Sequence, residues 1–125
     1  MFAFLQNRIQ SLGHAVRGFR DILRSEHNAR IHAGFTVMIL AVSAWLKIDV
    51  LPFVLIVLVI VLVWIMESLN TVLEIVIDVV SPEYTEMAKR AKDIAAAAVL
   101  VAAIGAAVTG IIILGPPLLE KLNFN

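Results

Sequence analysis

At 125 residues the chain is one domain at most, and its 61% hydrophobic content and mean hydropathy of +0.95 stand far above the roughly 45–50% of soluble domains, so it reads as an integral membrane protein. Ten Lys and Arg balance ten Asp and Glu, so no basic surplus points to nucleic acid and no such partner is expected. With no cysteine, disulfides, thiol catalysis and Cys-based zinc sites are excluded, while the redox compartment stays open.

An amphipathic helix is predicted over residues 1–28. Leu5, Ile9, Leu12, Val16, Phe19 and Leu23 recur at steps of four and three, a narrow apolar seam on a helix, and Arg8, Arg17, Arg20 and Arg24 lie off it. Such a helix can rest in the bilayer interface with its arginines among anionic head groups, or pack its seam on the protein's own helices. Gly13 and Gly18 interrupt it at about 0.8–1 kcal/mol each relative to Ala, which points to a bend or a close helix contact. The opening "MFAFLQNRIQ" has no separate apolar block followed by a cleavage site, so it is read as part of the mature protein.

Three apolar spans follow. Residues 31–47 form the first, and "WLKIDVLP" supplies a polar turn before Pro52, which opens the second helix where its missing N–H matters little. The second, 50–80, exceeds the about 20 residues that cross a bilayer core, so it tilts or projects. Ser81 and Pro82 are expected to break it and to start a third helix over 82–114, polar at first and apolar from Ile94, with "GPP" ending it before a tail at 115–125. Ala102, Ala106 and Gly110 give the third helix a row of small residues that permits close packing, within the chain or between copies.

Basic residues set the orientation. Arg8, Arg17, Arg20, Arg24 and Arg30 precede the first span, and Lys89, Arg90 and Lys92 lie in the loop after the second, against Lys47 and Lys121 on the other side. The N-terminal helix and that loop are therefore expected in the cytoplasm and the C-terminus outside.

The projecting end of the second span, "MESLNTVLEIVID" at 66–78, carries Glu67, Asn70, Glu74 and Asp78. At roughly 100° per residue these fall on one helix stripe about 80° wide. Such a stripe could bind metal, hold a proton path or mark the membrane edge. An acid within lipid costs several kcal/mol, so Glu67 points to function. Mg²⁺ commonly takes one or two carboxylates plus substrate phosphates. Glu74 with Glu26, on the same side of the membrane, would suit that. Lys92 reads as a snorkelling anchor or as a phosphate-binding cation, with Asp93 beside it.

"GHAVRGFR" at 13–20 has the glycine frame of a phosphate-binding loop, but Phe19 stands where the lysine belongs and no strand precedes it. His14, His27 and His32 lack the order of a zinc hydrolase, and a surface or interfacial role is expected for each.

"ESLNTVLEIVID" at 67–78 resembles the signature of the small bacterial membrane kinases, diacylglycerol kinase and undecaprenol kinase, written roughly E-x-L-N-[ST]-[AS]-[LIV]-E-x-x-V-D. Val72 and Ile77 depart from it, and both are packing positions. The likeness continues through "AKRAKDIAAAAVL" (88–100) and "SEHNARIH" (25–32), covering nearly the whole chain. The resemblance implies a kinase that uses ATP to phosphorylate a lipid alcohol at the bacterial inner membrane, working as a homotrimer with shared sites. By the same resemblance Glu67 would be the general base, Glu26 and Glu74 would bind the metal, Mg²⁺, carried with ATP, and Asn70 would orient Glu67 or the lipid. Lys92 would contact the ATP phosphates, Asp78 and Asp93 would support the nucleotide site, and Arg8 would join it through the "RIQSLGHAVRG" stretch. Glu26, Asn28, Arg30, Ile31 and His32 look more like the undecaprenol branch, so a polyprenol is favoured over diacylglycerol.

A channel or transporter subunit is the competing class, with the stripe lining a path. Against it, "VLPFVLIVLVIVLVW" at 50–64 offers nothing polar to continue the path across the bilayer. A purely structural adaptor would leave Glu67 unexplained.

Overall fold

The computed structural model describes residues 1–123, without the side chains of residues 2–5 and 7, so Leu5 of the expected seam lies outside the described side chains. Four helices follow one another: α1 (Phe2–Ser25), α2 (His27–Leu46), α3 (Val50–Val80) and α4 (Glu86–Asn123). No strand occurs among the described residues. The last three are long and apolar enough to cross a membrane, so the molecule is an all-α multi-pass membrane protein with an N-terminal helix preceding three spans. At 31 and 38 residues, α3 and α4 measure about 46 and 57 Å and overrun a bilayer core of about 30 Å.

A single residue separates α1 from α2. Glu26 is extended (φ −94°, ψ 123°), and its N–H closes α1 on the Ile22 carbonyl at 2.9 Å. The expected surface helix thus ends three residues early, and α2 begins at once. α1 is one unbroken helix across residues 13–18, so no phosphate-binding loop exists there. A Cβ at Gly18 would meet nothing within 4 Å, and one at Gly13 only the Arg17 side chain at 3.8 Å. Neither glycine answers to a close helix contact. Ile9, Leu12 and Val16 stay largely exposed, whereas Phe19 packs on Trp64 of α3 with ring centroids 4.8 Å apart. The Trp64 indole N–H in turn donates to Thr36 Oγ1 at 3.1 Å, tying α3 to α2.

α2 ends in a paired hydrogen-bond cap. Lys47 adopts the left-handed conformation (φ 54°, ψ 45°), its N–H bonds the Ala44 carbonyl at 3.2 Å, and the Ile48 N–H reaches Ser43 at 3.4 Å. Pro52 lies third in α3, still within the first turn, whose N–H groups have no helical partner.

The break after α3 is longer than "SP" suggests, spanning residues 81–85. Ser81 closes α3 through its backbone N–H, but its Oγ turns to the Glu83 carbonyl and caps no helix start, and Thr85 caps α4 instead by accepting the Ala88 N–H at 3.1 Å. At the other end α4 runs through Pro116 and Pro117 to Asn123, where a stop was expected. Two missing N–H donors free two carbonyls without unwinding the last turns, a tolerance that membrane helices have. The continuation is anchored, because Lys121 Nζ donates to the Trp45 carbonyl at 2.9 Å and lies 4.4 Å from that indole's centroid.

α3 and α4 form the principal pair, with α2 against both and α1 against α2 and α3. The buried face of α3 carries Ile56, Val63, Glu67, Asn70 and Thr71, and α4 meets it with Ala95, Val99 and Ala102. Small residues on α4 admit the bulk of α3, so the acidic stripe enters the packed face at its inner end.

Candidate functional site

Because the stripe follows the helix face and the helix leaves the bundle, its four polar residues sit in graded environments. Glu67 is 2% exposed and Asn70 8%, Glu74 is half-buried, and Asp78 is 66% exposed. One face therefore leads from a buried carboxylate to an open one.

The inner group is sparsely satisfied. Glu67 Oε2 is buried without a hydrogen bond, and so is Asn70 Oδ1. Asn70 Nδ2 donates to Glu74 Oε1 at 2.9 Å, so this amide is bonded to the next acid along the stripe. Thr71 and Ser68 turn their hydroxyls back to the carbonyls of Glu67 and Trp64, leaving the carboxylate no hydroxyl neighbour from its own turn. Across the bundle His32 Nε2 of α2 approaches Glu67 Oε2 to 3.9 Å. Glu26 and Glu74 are close enough for their charges to act on Glu67. Two orphaned acceptors beside two more acids make a site poised for a donor or a cation, since burying such atoms unpaired costs about 1–3 kcal/mol each. Among the described residues no three His or acidic side chains converge on one point to hold a metal by themselves. Glu26 and Glu74 thus suit an ion that takes one or two protein carboxylates and completes its shell elsewhere.

A second cleft, about 340 Å³ and open, lies at the outer end of the stripe, lined by Asp78, Lys92 and Asp93 with Ser81, Tyr84, Thr85 and Lys89 from the break and the start of α4. Lys92 Nζ is paired with Asp78 Oδ1, which joins the end of α3 to the start of α4. Arg8 is exposed on α1 and lines neither this cleft nor the groove described next.

On the other side of Glu67 an apolar groove of about 630 Å³ runs between α2, α3 and α4, with His32 and Phe35 at one end and Leu114 and Leu118 toward the other. The structure thus gathers Glu67, Asn70, Glu74 and Glu26 at the junction of an apolar groove and the polar end of α3, and sets Asp78, Lys92 and Asp93 together outside it. Of the surface or interfacial role expected of it, His32 takes a half-buried place at the end of the apolar groove, facing Glu67. The break residues Tyr84 and Thr85 also line the outer cleft, and their signal in the sequence is the polar run "SPEYTEM" that follows the acidic helix end.

The model of a family described as prokaryotic diacylglycerol kinase matches residues 13–114. A protein named diacylglycerol kinase from Synechocystis sp. is 40% identical over 117 residues, covering 93% of this chain and 67% of its own. One of the same name from Escherichia coli K12 is 35% identical over 106 residues, 85% of this chain and 87% of the other. One named undecaprenol kinase from Bacillus subtilis 168 is 32% identical over 114 residues, 91% and 93% of the two chains.

Proposed function

The chain belongs to the prokaryotic diacylglycerol kinase family and is a lipid kinase; from that premise we propose that it transfers the γ-phosphate of Mg-ATP to the hydroxyl of a membrane lipid alcohol, with undecaprenol favoured over diacylglycerol. The observation that carries the reading is the position of Glu67, a buried carboxylate with an unpartnered oxygen between an apolar groove and two further acids.

An apolar alcohol lies in the groove with its hydroxyl at Glu67, which removes the proton as the oxygen attacks the γ-phosphorus of ATP, whose bond to the bridging oxygen breaks to release ADP. Asn70 holds Glu74 through its N–H and leaves Oδ1 for the lipid head. Glu26 and Glu74 would hold the divalent cation, which when bound neutralises phosphate charge. Lys92, fixed by Asp78, faces the phosphates from the outer cleft, with Asp93 at its rim and Arg8 joining from α1. Phosphoryl transfer asks mainly for positioning and charge neutralisation, which this set supplies without a glycine-rich loop.

The site and the N-terminus face the cytoplasm, where ATP is, at the bacterial inner membrane, and three copies assemble with sites shared between neighbours. Undecaprenol is favoured on Glu26, Asn28, Arg30, Ile31 and His32, the pattern that resembles that branch. A channel has no support, because the polar stripe of α3 stops at Glu67 and residues 50–63 are apolar throughout.

The test is phosphate transfer from Mg-ATP in detergent micelles, offering undecaprenol and diacylglycerol in parallel with Glu74→Ala as control. Transfer to undecaprenol that the control loses is expected. Faster transfer to diacylglycerol would reverse the lipid order, and transfer to neither would refute the reading.

A further inference from the structure

Resting on the reading of Glu67 as general base, we infer that His32 is a positioning residue for it, donating Nε2–H to Glu67 Oε2 when the site is engaged. Glu67 Oε2 is buried without a hydrogen bond, and His32 Nε2, 3.9 Å away, is the one cationic or imidazole group within ion-pair distance of it among the described residues. That distance is about 1 Å beyond a hydrogen bond, and hydrogen bonds at reactive groups are commonly long before substrate binds.

The surroundings fix which group must move. The Ser68 and Thr71 hydroxyls donate to backbone carbonyls and Asn70 Nδ2 donates to Glu74, so none of these α3 neighbours is bonded to Oε2. Glu26 and Glu74, the other charged groups near Glu67, are acceptors. Among the described residues the group within ion-pair distance is His32 of α2, which is 18% exposed, with room to close on a carboxylate that is 2% exposed. His32 also lines the apolar groove at its Glu67 end. A lipid seated there would press against the imidazole and exclude water from the pair. With Oε2 held, Oε1 is left to take the hydroxyl proton, so His32 acts through the geometry of Glu67.

His32→Leu and His32→Gln separate this from a packing role. Leu fills the same space without a donor, while Gln carries an N–H near the position of Nε2. Lipid-dependent kcat, KM for Mg-ATP and the thermal unfolding midpoint are measured for both, beside Glu67→Gln. The expected result is a kcat loss of about 10²-fold in His32→Leu, the scale of a reactive group misplaced by about 1 Å, with KM for Mg-ATP unchanged and most of kcat restored in His32→Gln. Normal kcat in His32→Leu, or an equal fall in both variants, would overturn the inference. If His32→Leu does not fold, a folded His32→Gln decides by keeping or losing kcat. An active Glu67→Gln would instead refute the base itself, an outcome distinct from a failure at His32.

Discussion

A carboxylate oxygen buried without a hydrogen bond destabilises the molecule that holds it, by about 1–3 kcal/mol, and Glu67 is such a group. Its neighbours on α3 could have served it and bond elsewhere. A residue kept at a cost to stability is kept for what it does, and the trade can be measured. Glu67→Met, close in volume and free of the orphaned oxygen, should abolish phosphate transfer while raising unfolding stability by about 1–3 kcal/mol, read from thermal unfolding in detergent. A loss of stability would mean that the carboxylate has a structural partner. Asn70 makes a second case, since its amide fixes Glu74 at 2.9 Å. Asn70→Ala should weaken the apparent affinity for Mg²⁺ by about 10–100-fold, the usual effect of removing a group that orients a metal ligand. Titrating the metal at saturating ATP and lipid checks this.

At the scale of elements, helix ends carry the local chemistry. Lys47 occupies a left-handed position that glycine adopts without steric cost, so Lys47→Gly should stabilise the protein by about 1 kcal/mol. No change on thermal unfolding would show that the α2 terminus relaxes freely. What could be read in advance divides along the same line. The acidic stripe was legible because period and spacing alone place residues 67, 70, 74 and 78 on one face, and α3 keeps that face. The end of α4 was not, because "GPP" stops a helix by local rules, whereas Lys121 anchors the continuation 76 residues away in sequence, at Trp45. The start of α4 was misplaced for a related reason, since Ser81 and Thr85 are both competent caps and only the path of the break selects Thr85. The approach of His32 to Glu67 depends on the rotation of α2 against α3, which neither helix encodes by itself.

For the whole molecule the question is what completes a bundle that buries so little. Only Ala29, Ile56, Val63, Ala95, Val99, Ala102 and Leu114 are buried apolar residues among those described, while Leu58, Val101 and Ile111 are each more than half exposed. Lipid covers such surface without difficulty, so exposure alone does not require a second copy. The row of small residues on α4 is more discriminating, because Ala102 is spent against α3 whereas Ala106 and Gly110 are half-buried and border the apolar groove. A Cβ at Gly110 would meet nothing within 4 Å in the protomer. Gly110→Ala therefore adds a Cβ that meets nothing in the protomer and probes what approaches from outside. If neighbouring copies close on this row, as the proposed homotrimer would allow, the substitution should shift light scattering in detergent from trimer toward monomer without loss of helical circular dichroism, and lipid kinase activity should fall with it. A trimer that persists would assign the row to lipid and move the interface to another face. Monomers that remain fully active would show that each site is complete within one chain.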